Sequence, residues 1–227
     1  MAAAAAALIA RMLRECVSPS ILDILGFRAQ DLEADITSAT RENDFGDFFC
    51  GEGGVYSACR ARNLKGFKMD KLHGSCHDLL TNIGMANATR GVLSIKEGGM
   101  IGGGPPCSLF VFMSSSYHKR TKVTPLGDES KSQVLQANYI AAFWVFLLTI
   151  ASIRRVWWWT EQPGTSKMFN LPCWEKFQDM LDHLHAYRFI NFWMGNWGHD
   201  IPKPTIIVTN CLALNSLVLA NAGEKPQ

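Results

Sequence analysis

Asp47-Phe48-Phe49-Cys50-Gly51-Glu52-Gly53-Gly54 is the stretch on which the fold turns. A short apolar run ends abruptly in a glycine-rich loop. Val55 to Asn63 then carries Val55, Ala58, Cys59 and Arg62 at helical spacing. Gly66-Phe67-Lys68-Met69 follows as a second short strand and ends in Asp70. Strand, glycine loop, helix, strand opens an α/β fold, and it aims helix N-terminal amides at an anionic or polar ligand. An acid at the end of the second strand accepts hydrogen bonds from both hydroxyls of a ribose, so the pair of features points to a ribose-bearing cofactor.

Downstream, the spacing predicts a helix from about Asn82 to Ile95, with Ile83, Ala86, Val92 and Leu93 toward the core and Glu97-Gly98-Gly99 closing it. Little chain is left between Asp70 and Met100, so a third strand is expected to be missing or very short. Met100-Ile101 then leads into Gly102-Gly103-Gly104-Pro105-Pro106-Cys107-Ser108. The glycines allow close backbone approach and the prolines stiffen the segment before the thiol. Cys107 reads either as a presented nucleophile or as a small buried filler after a proline turn. Ser108 to Asp128 reads as a long loop holding the densest basic cluster, with Lys119, Arg120 and Lys122. Such a loop suits closure on phosphates, or is simply a solvated surface.

Ser130 and Gln133 have capping-box spacing before a long apolar helix that runs to about Ile153. Val156-Trp157-Trp158-Trp159 suits a central strand, followed by Thr160-Glu161-Gln162-Pro163. A glutamate at the tip of such a strand is partly desolvated, which would raise its pKa and let it donate a proton; it could also cap the next turn. Trp174, Phe177, Leu181 and Leu184 mark an amphipathic helix, and Tyr187–Met194 and Thr205–Thr209 read as closing strands. Alternating strands and helices give an α/β class with a mostly parallel sheet flanked by helices.

The 227 residues, 48% hydrophobic and 19% charged, are the composition of a globular soluble protein, and the net charge of +2 selects no partner. Seven cysteines without a Cys-x-x-Cys pair argue for reduced, intracellular thiols and against a disulfide framework or zinc ribbon. His73-Gly74-Ser75-Cys76-His77 reads as a polar turn, with no metal site expected. The apolar run Tyr139–Ile153 falls short of the roughly 20 residues that span a bilayer, so a buried helix and no membrane span are expected. Residues 1–43 read as a helical extension in which an organelle presequence is the competing reading, 44–220 as the α/β domain, and 221–227 as a flexible tail.

Taken in order, these pieces resemble the DNA cytosine-5 methyltransferases over roughly residues 44–210. Asp47 to Gly54 is similar to that family's cofactor loop (D-x-F-x-G-x-G-G), and Asp70 falls at its ribose-binding acid. Gly103-Gly104-Pro105-Pro106-Cys107 is similar to its nucleophile motif (G-G-P-P-C-Q), and Glu161 falls at the glutamate of its Glu-Asn-Val motif. The resemblance implies a Rossmann-like methyltransferase sheet binding S-adenosylmethionine through Phe49, Gly51, Gly53, Gly54, Asp70 and, as an adenine-binding acid, Asp78. It implies that the Cys107 sulfur adds to C6 of a flipped-out pyrimidine while Glu161 hydrogen-bonds or protonates the ring nitrogen. A free thiol titrates near about 8.5, so the site is expected to lower that value.

DNA is the expected substrate ahead of RNA, with Lys119, Arg120 and Lys122 on its phosphates, in the nucleus or cytoplasm. Ser108 departs from the family's glutamine and Gln162 from its asparagine. Ile201-Pro202-Lys203-Pro204-Thr205, where Gln-x-Arg-x-Arg should lie, has no arginine. No sequence remains for a target-recognition domain. These departures motivate a second expectation, an inactive methyltransferase-like domain that binds protein partners in a larger assembly.

Overall fold

The computed structural model describes residues 40–184 and 187–218. Residues 1–39 of the expected helical extension and the tail over 221–227 lie outside them. The described elements are β1 (Asn43–Phe48), α1 (Gly54–Arg60), β2 (Gly66–Met69), α2 (Asn82–Leu93), β3 (Ile95–Gly103), α3 (Ser115–His118), α4 (Ser132–Ile153), β4 (Trp157–Pro163), α5 (Pro172–Leu184), β5 (Arg188–Trp193) and β6 (Pro204–Thr209). The strands form one mixed, mostly parallel six-stranded sheet in the order β2-β1-β3-β4-β6-β5, flanked by helices and compatible with a Rossmann-like fold. β1 and β2 run parallel, with Phe45 opposite Gly66 and Phe48 opposite Met69. β6 runs antiparallel to both β4 and β5. The chain divides into two compact units, one ending at Gly102 and resumed over Tyr139–Trp157, the other comprising Gly103–Asn138 and the residues from Trp158 onward.

In the first unit the core is aromatic. Trp144 of α4 is fully buried, with its ring centroid 5.3 Å from that of Phe48 and 5.4 Å from that of Phe49. From Ala141 to Ala151 α4 is apolar but for Thr149, whose hydroxyl donates to Val145 O, as suits a helix that is largely enclosed. Its 22 residues make it the one described helix long and apolar enough to cross a membrane, but most of its apolar stretch is buried inside the protein. Its start differs from the capping-box expectation. The helix begins at Ser132, Ser130 Oγ donates instead to Asp128, and the Gln133 side chain accepts from the Tyr117 hydroxyl.

α2 starts at the N-cap Thr81, whose hydroxyl accepts from Gly84 N, and buries Met85, Ala88, Thr89 and Val92. That i, i+3, i+4, i+7 stripe leaves Ile83 out of phase and 55% exposed, where a core position was expected. The helix also ends earlier than expected. Ser94 closes it by donating its hydroxyl to Gly91 O, and Glu97-Gly98-Gly99 belong to β3. Between β2 and α2 the described residues hold only two single 3-10 turns, Lys71–His73 and Ser75–His77, in place of a third strand.

The second unit is built on β4, whose alternation buries Trp158, Thr160 and Gln162 and leaves Glu161 half-buried on the opposite face. α5 buries Trp174, Phe177 and Leu181, and Trp158 meets Phe177 at 5.3 Å. Ile190, Phe192 and Ile207 form a small cluster with Trp159 and Met194 packed against it.

Candidate functional site

The residues singled out from the sequence fall into two clusters, one in each unit. In the first unit the loop after β1 alternates handedness: Phe49 (φ 53°), Gly51 (φ 49°) and Gly53 (φ 75°) are left-handed. Gly53 N donates to Cys50 O at 2.7 Å, closing a tight turn. Asp70, at the end of β2, holds that turn from outside. Its Oδ2 accepts from Gly51 N and its Oδ1 from Leu72 N, each at 3.0 Å. Each oxygen keeps a second lone pair for another donor. A Cβ built at Gly51 or Gly54 would meet no heavy atom within 4 Å, so the loop opens onto free space.

Asp47, buried in β1, accepts from Tyr56 N of α1 at 2.9 Å and so fixes the entry into that helix. Burial pushes its carboxyl above the usual range, against the Tyr56 N–H and the Lys68 ammonium, which act the other way. Burial also raises the Cys50 thiol, with the charges of Asp47 and Asp70 adding to it. Asp78 is engaged separately: its Oδ1 accepts from Leu80 N at 2.9 Å, in the turn that leads into α2. His73 and His77 meet ring to ring at 5.8 Å. Among the described residues no three His, Cys, Asp or Glu side chains are placed to hold a metal ion.

The second unit brings the Gly104–Cys107 turn onto Glu161. A Cβ built at Gly104 would lie 2.9 Å from Glu161 Oε2. One residue on, the Pro105 carbonyl accepts from Gln162 Nε2 at 2.7 Å, and Gln162 Oε1 accepts from Ser166 Oγ at 2.8 Å. Thus Gln162, a departure from the motif in sequence, is a buried clamp on the Pro-Pro turn. Cys107 follows, half-buried, and its carbonyl accepts from Phe110 N at 2.8 Å.

Glu161 does not sit at a strand tip, because β4 continues to Pro163. Its Oε1 is 3.0 Å from Lys203 Nζ, with the two side chains 19% and 36% exposed. Glu161 lies opposite Ile207 in β6, and the period of two carries that face back through Thr205 to Lys203. The segment that lacks arginine therefore still supplies a cation to the glutamate. Sequence reasoning missed Lys203, because the register that brings it to Glu161 is set by pairing between segments distant in the chain.

The basic cluster divides. Lys119 and Lys122 are exposed, but Arg120 is only 5% exposed and donates to Leu109 O, Pro125 O and Asn138 Oδ1 at 2.7–2.8 Å. Its place among phosphate-binding residues is corrected on that ground: a guanidinium surrounded by its own chain's carbonyls has no face for an external anion. Burial lowers its pKa to about 10, which leaves it charged at neutrality.

No protein-family model matches the chain, and no curated protein matches it either.

Proposed function

We propose that the chain is a methyltransferase of the cytosine-5 type, a methyltransferase-like Rossmann domain that modifies a pyrimidine in nucleic acid, with Cys107 as nucleophile and Glu161 as its acidic partner. The observation that carries the reading is the close approach of Gly104 to Glu161: a glycine-proline turn delivering a thiol is seated against a carboxylate more than fifty residues away. In this reading the Cys107 thiol gives up its proton and its sulfur bonds to C6, sending the C5–C6 electron pair to C5. Glu161 hydrogen-bonds or protonates the ring nitrogen, which makes the ring a better acceptor. C5 would take the methyl group as that group's bond to the sulfonium sulfur breaks and leaves a neutral thioether; solvent water would then take the C5 proton, and the freed electron pair would re-form the C5–C6 double bond and expel the Cys107 sulfur.

S-adenosylmethionine, when bound, supplies an electrophilic methyl group. The residues fit it: open space over Gly51 and Gly54, and an Asp70 carboxylate with unused lone pairs for ribose hydroxyls. Phe49 and Gly53 shape the same turn, while Asp78 would reach the adenine. Lys119 and Lys122 would meet phosphates of the nucleic acid, DNA ahead of RNA. Calorimetric titration with S-adenosylmethionine should show binding, and Cys107→Ser should abolish methyl transfer while leaving that binding intact. A serine variant transferring methyl groups at the wild-type rate removes the covalent mechanism.

One observation favours a second reading, a non-catalytic subunit that binds a protein. Phe112, Met113 and Val123 stand well out of the second unit, Met113 at 93% exposure. Absence of S-adenosylmethionine binding at millimolar concentration would leave this reading alone.

A further inference from the structure

We infer that Arg120 is the positioning residue for Cys107: from inside the 108–128 arm its guanidinium fixes the turn that presents the thiol. The inference rests on the reading of Cys107 as nucleophile. The arm, expected as a loop that closes on phosphates or as a solvated surface loop, is cross-braced from within. Arg120 Nε donates to Leu109 O at 2.8 Å, two residues past the thiol. Its guanidinium lies over the Phe110 ring at 4.3 Å, and it is Phe110 N that closes the turn on the Cys107 carbonyl. Phe110 O in turn accepts from Lys167 N at 2.8 Å. On its far side the same guanidinium reaches Pro125 O and, on α4, Asn138 Oδ1. Asn138 passes the restraint on, donating to Leu126 O and to Glu129.

A second layer locks the backbone beneath it. Arg120 N donates to His118 Nδ1 at 2.9 Å, so the ring carries its proton on Nε2 and donates it to Val111 O at 3.0 Å. Gly127 lets the returning segment pass, since a Cβ there would collide with His118 O and lie 2.8 Å from Arg120 Cγ. Only a planar fork of donors joins Leu109, Pro125 and Asn138 at once; a lysine ammonium is a point charge and cannot bridge them. The thiol is thereby oriented before any substrate arrives, and misplacement of a reacting group by about 1 Å can cost 10²-fold in rate.

The test is the alkylation rate of each cysteine in the full chain, read peptide by peptide with iodoacetamide, in wild type, Arg120→Met and Arg120→Lys. The expected result is Cys107 reacting about fivefold faster or more in the methionine variant, with a smaller gain for lysine, while Cys50 and Cys59 stay within about twofold. Methyl transfer should lose kcat about tenfold in Arg120→Met at unchanged KM for S-adenosylmethionine. A Cys107 rate in both variants within twofold of wild type, or slower, overturns the inference. If Arg120→Met loosens every cysteine alike, Arg120→Lys decides: selective acceleration at Cys107 upholds the inference, and anything else overturns it. A wild-type protein without methyl transfer would sink the functional reading, and the alkylation pattern would still decide the role of Arg120.

Discussion

Gln162 and Pro105 are joined by a 2.7 Å hydrogen bond between two buried groups, and that bond seats the proline turn on β4. Gln162→Leu leaves the Pro105 carbonyl unmet and should cost about 1–3 kcal/mol of stability by urea titration. Gln162→Asn, one methylene shorter, should recover only part of it. An asparagine variant as stable as wild type would show that the bond is not what seats the turn.

Gly104→Ala tests the neighbouring contact. The added methyl would press on Glu161 Oε2 and must push the carboxylate or the turn aside. Methyl transfer should fall by roughly tenfold, the scale of a small misplacement at a reacting centre. S-adenosylmethionine binding, measured by calorimetry, should not change.

Asp70→Ala removes the acceptor of both Gly51 N and Leu72 N. The glycine turn loses its outer support, and Kd for S-adenosylmethionine should rise by about tenfold or more. Asp70→Asn keeps an oxygen for one of the two donors and should fall between the alanine variant and wild type. Equal affinity for all three proteins would remove Asp70 from the cofactor site.

How much of this was legible in the chain depends on how local each cause is. β2, the lack of a strand between β2 and α2 and the buried face of α5 follow from apolar period and chain length, and among the described residues the structure agrees; β4 is legible only as an apolar run, because two of the side chains it buries, Thr160 and Gln162, are polar. On α2 the expected core positions Val92 and Leu93 are buried, but Ile83 was misjudged, being apolar enough to suggest a core position yet lying off the stripe through Met85, Ala88 and Val92. Arg120 and Lys203 were illegible for another reason. A guanidinium turns inward only because carbonyls from residues 109, 125 and 134 converge on it, and no short window contains them. Lys203 meets Glu161 through a strand register set by long-range pairing.

Asp47 gives a pH signature. Its folded-state pKa is raised, so the charged form is the one that burial penalises. That penalty is absent below the unfolded carboxylate value of about 3.9 and grows as pH rises toward the folded value. Asp47→Asn keeps an acceptor for Tyr56 N without the charge. Its melting temperature at pH 7 should match or exceed that of wild type, and the difference should close as pH falls toward 3. An Asn variant less stable at pH 7 than at pH 4, relative to wild type, would reverse the sign and refute the assignment.

Trp144→Ala tests the aromatic centre of the first unit. Emptying a fully buried tryptophan site should cost about 3–5 kcal/mol, read as a lower denaturation midpoint at unchanged slope. The loss of support under Phe49 should weaken S-adenosylmethionine binding in the protein that remains folded.

The left-handed residues at 49, 51 and 53 make the length of their loop as constrained as its composition. Deleting or inserting one residue would exchange the roles of alternate positions and ask Glu52 or Cys50 to take a backbone shape that side chains resist. Phe49 already bears that cost, braced by Trp144. Evolution can therefore vary what this turn displays far more easily than how many residues it contains.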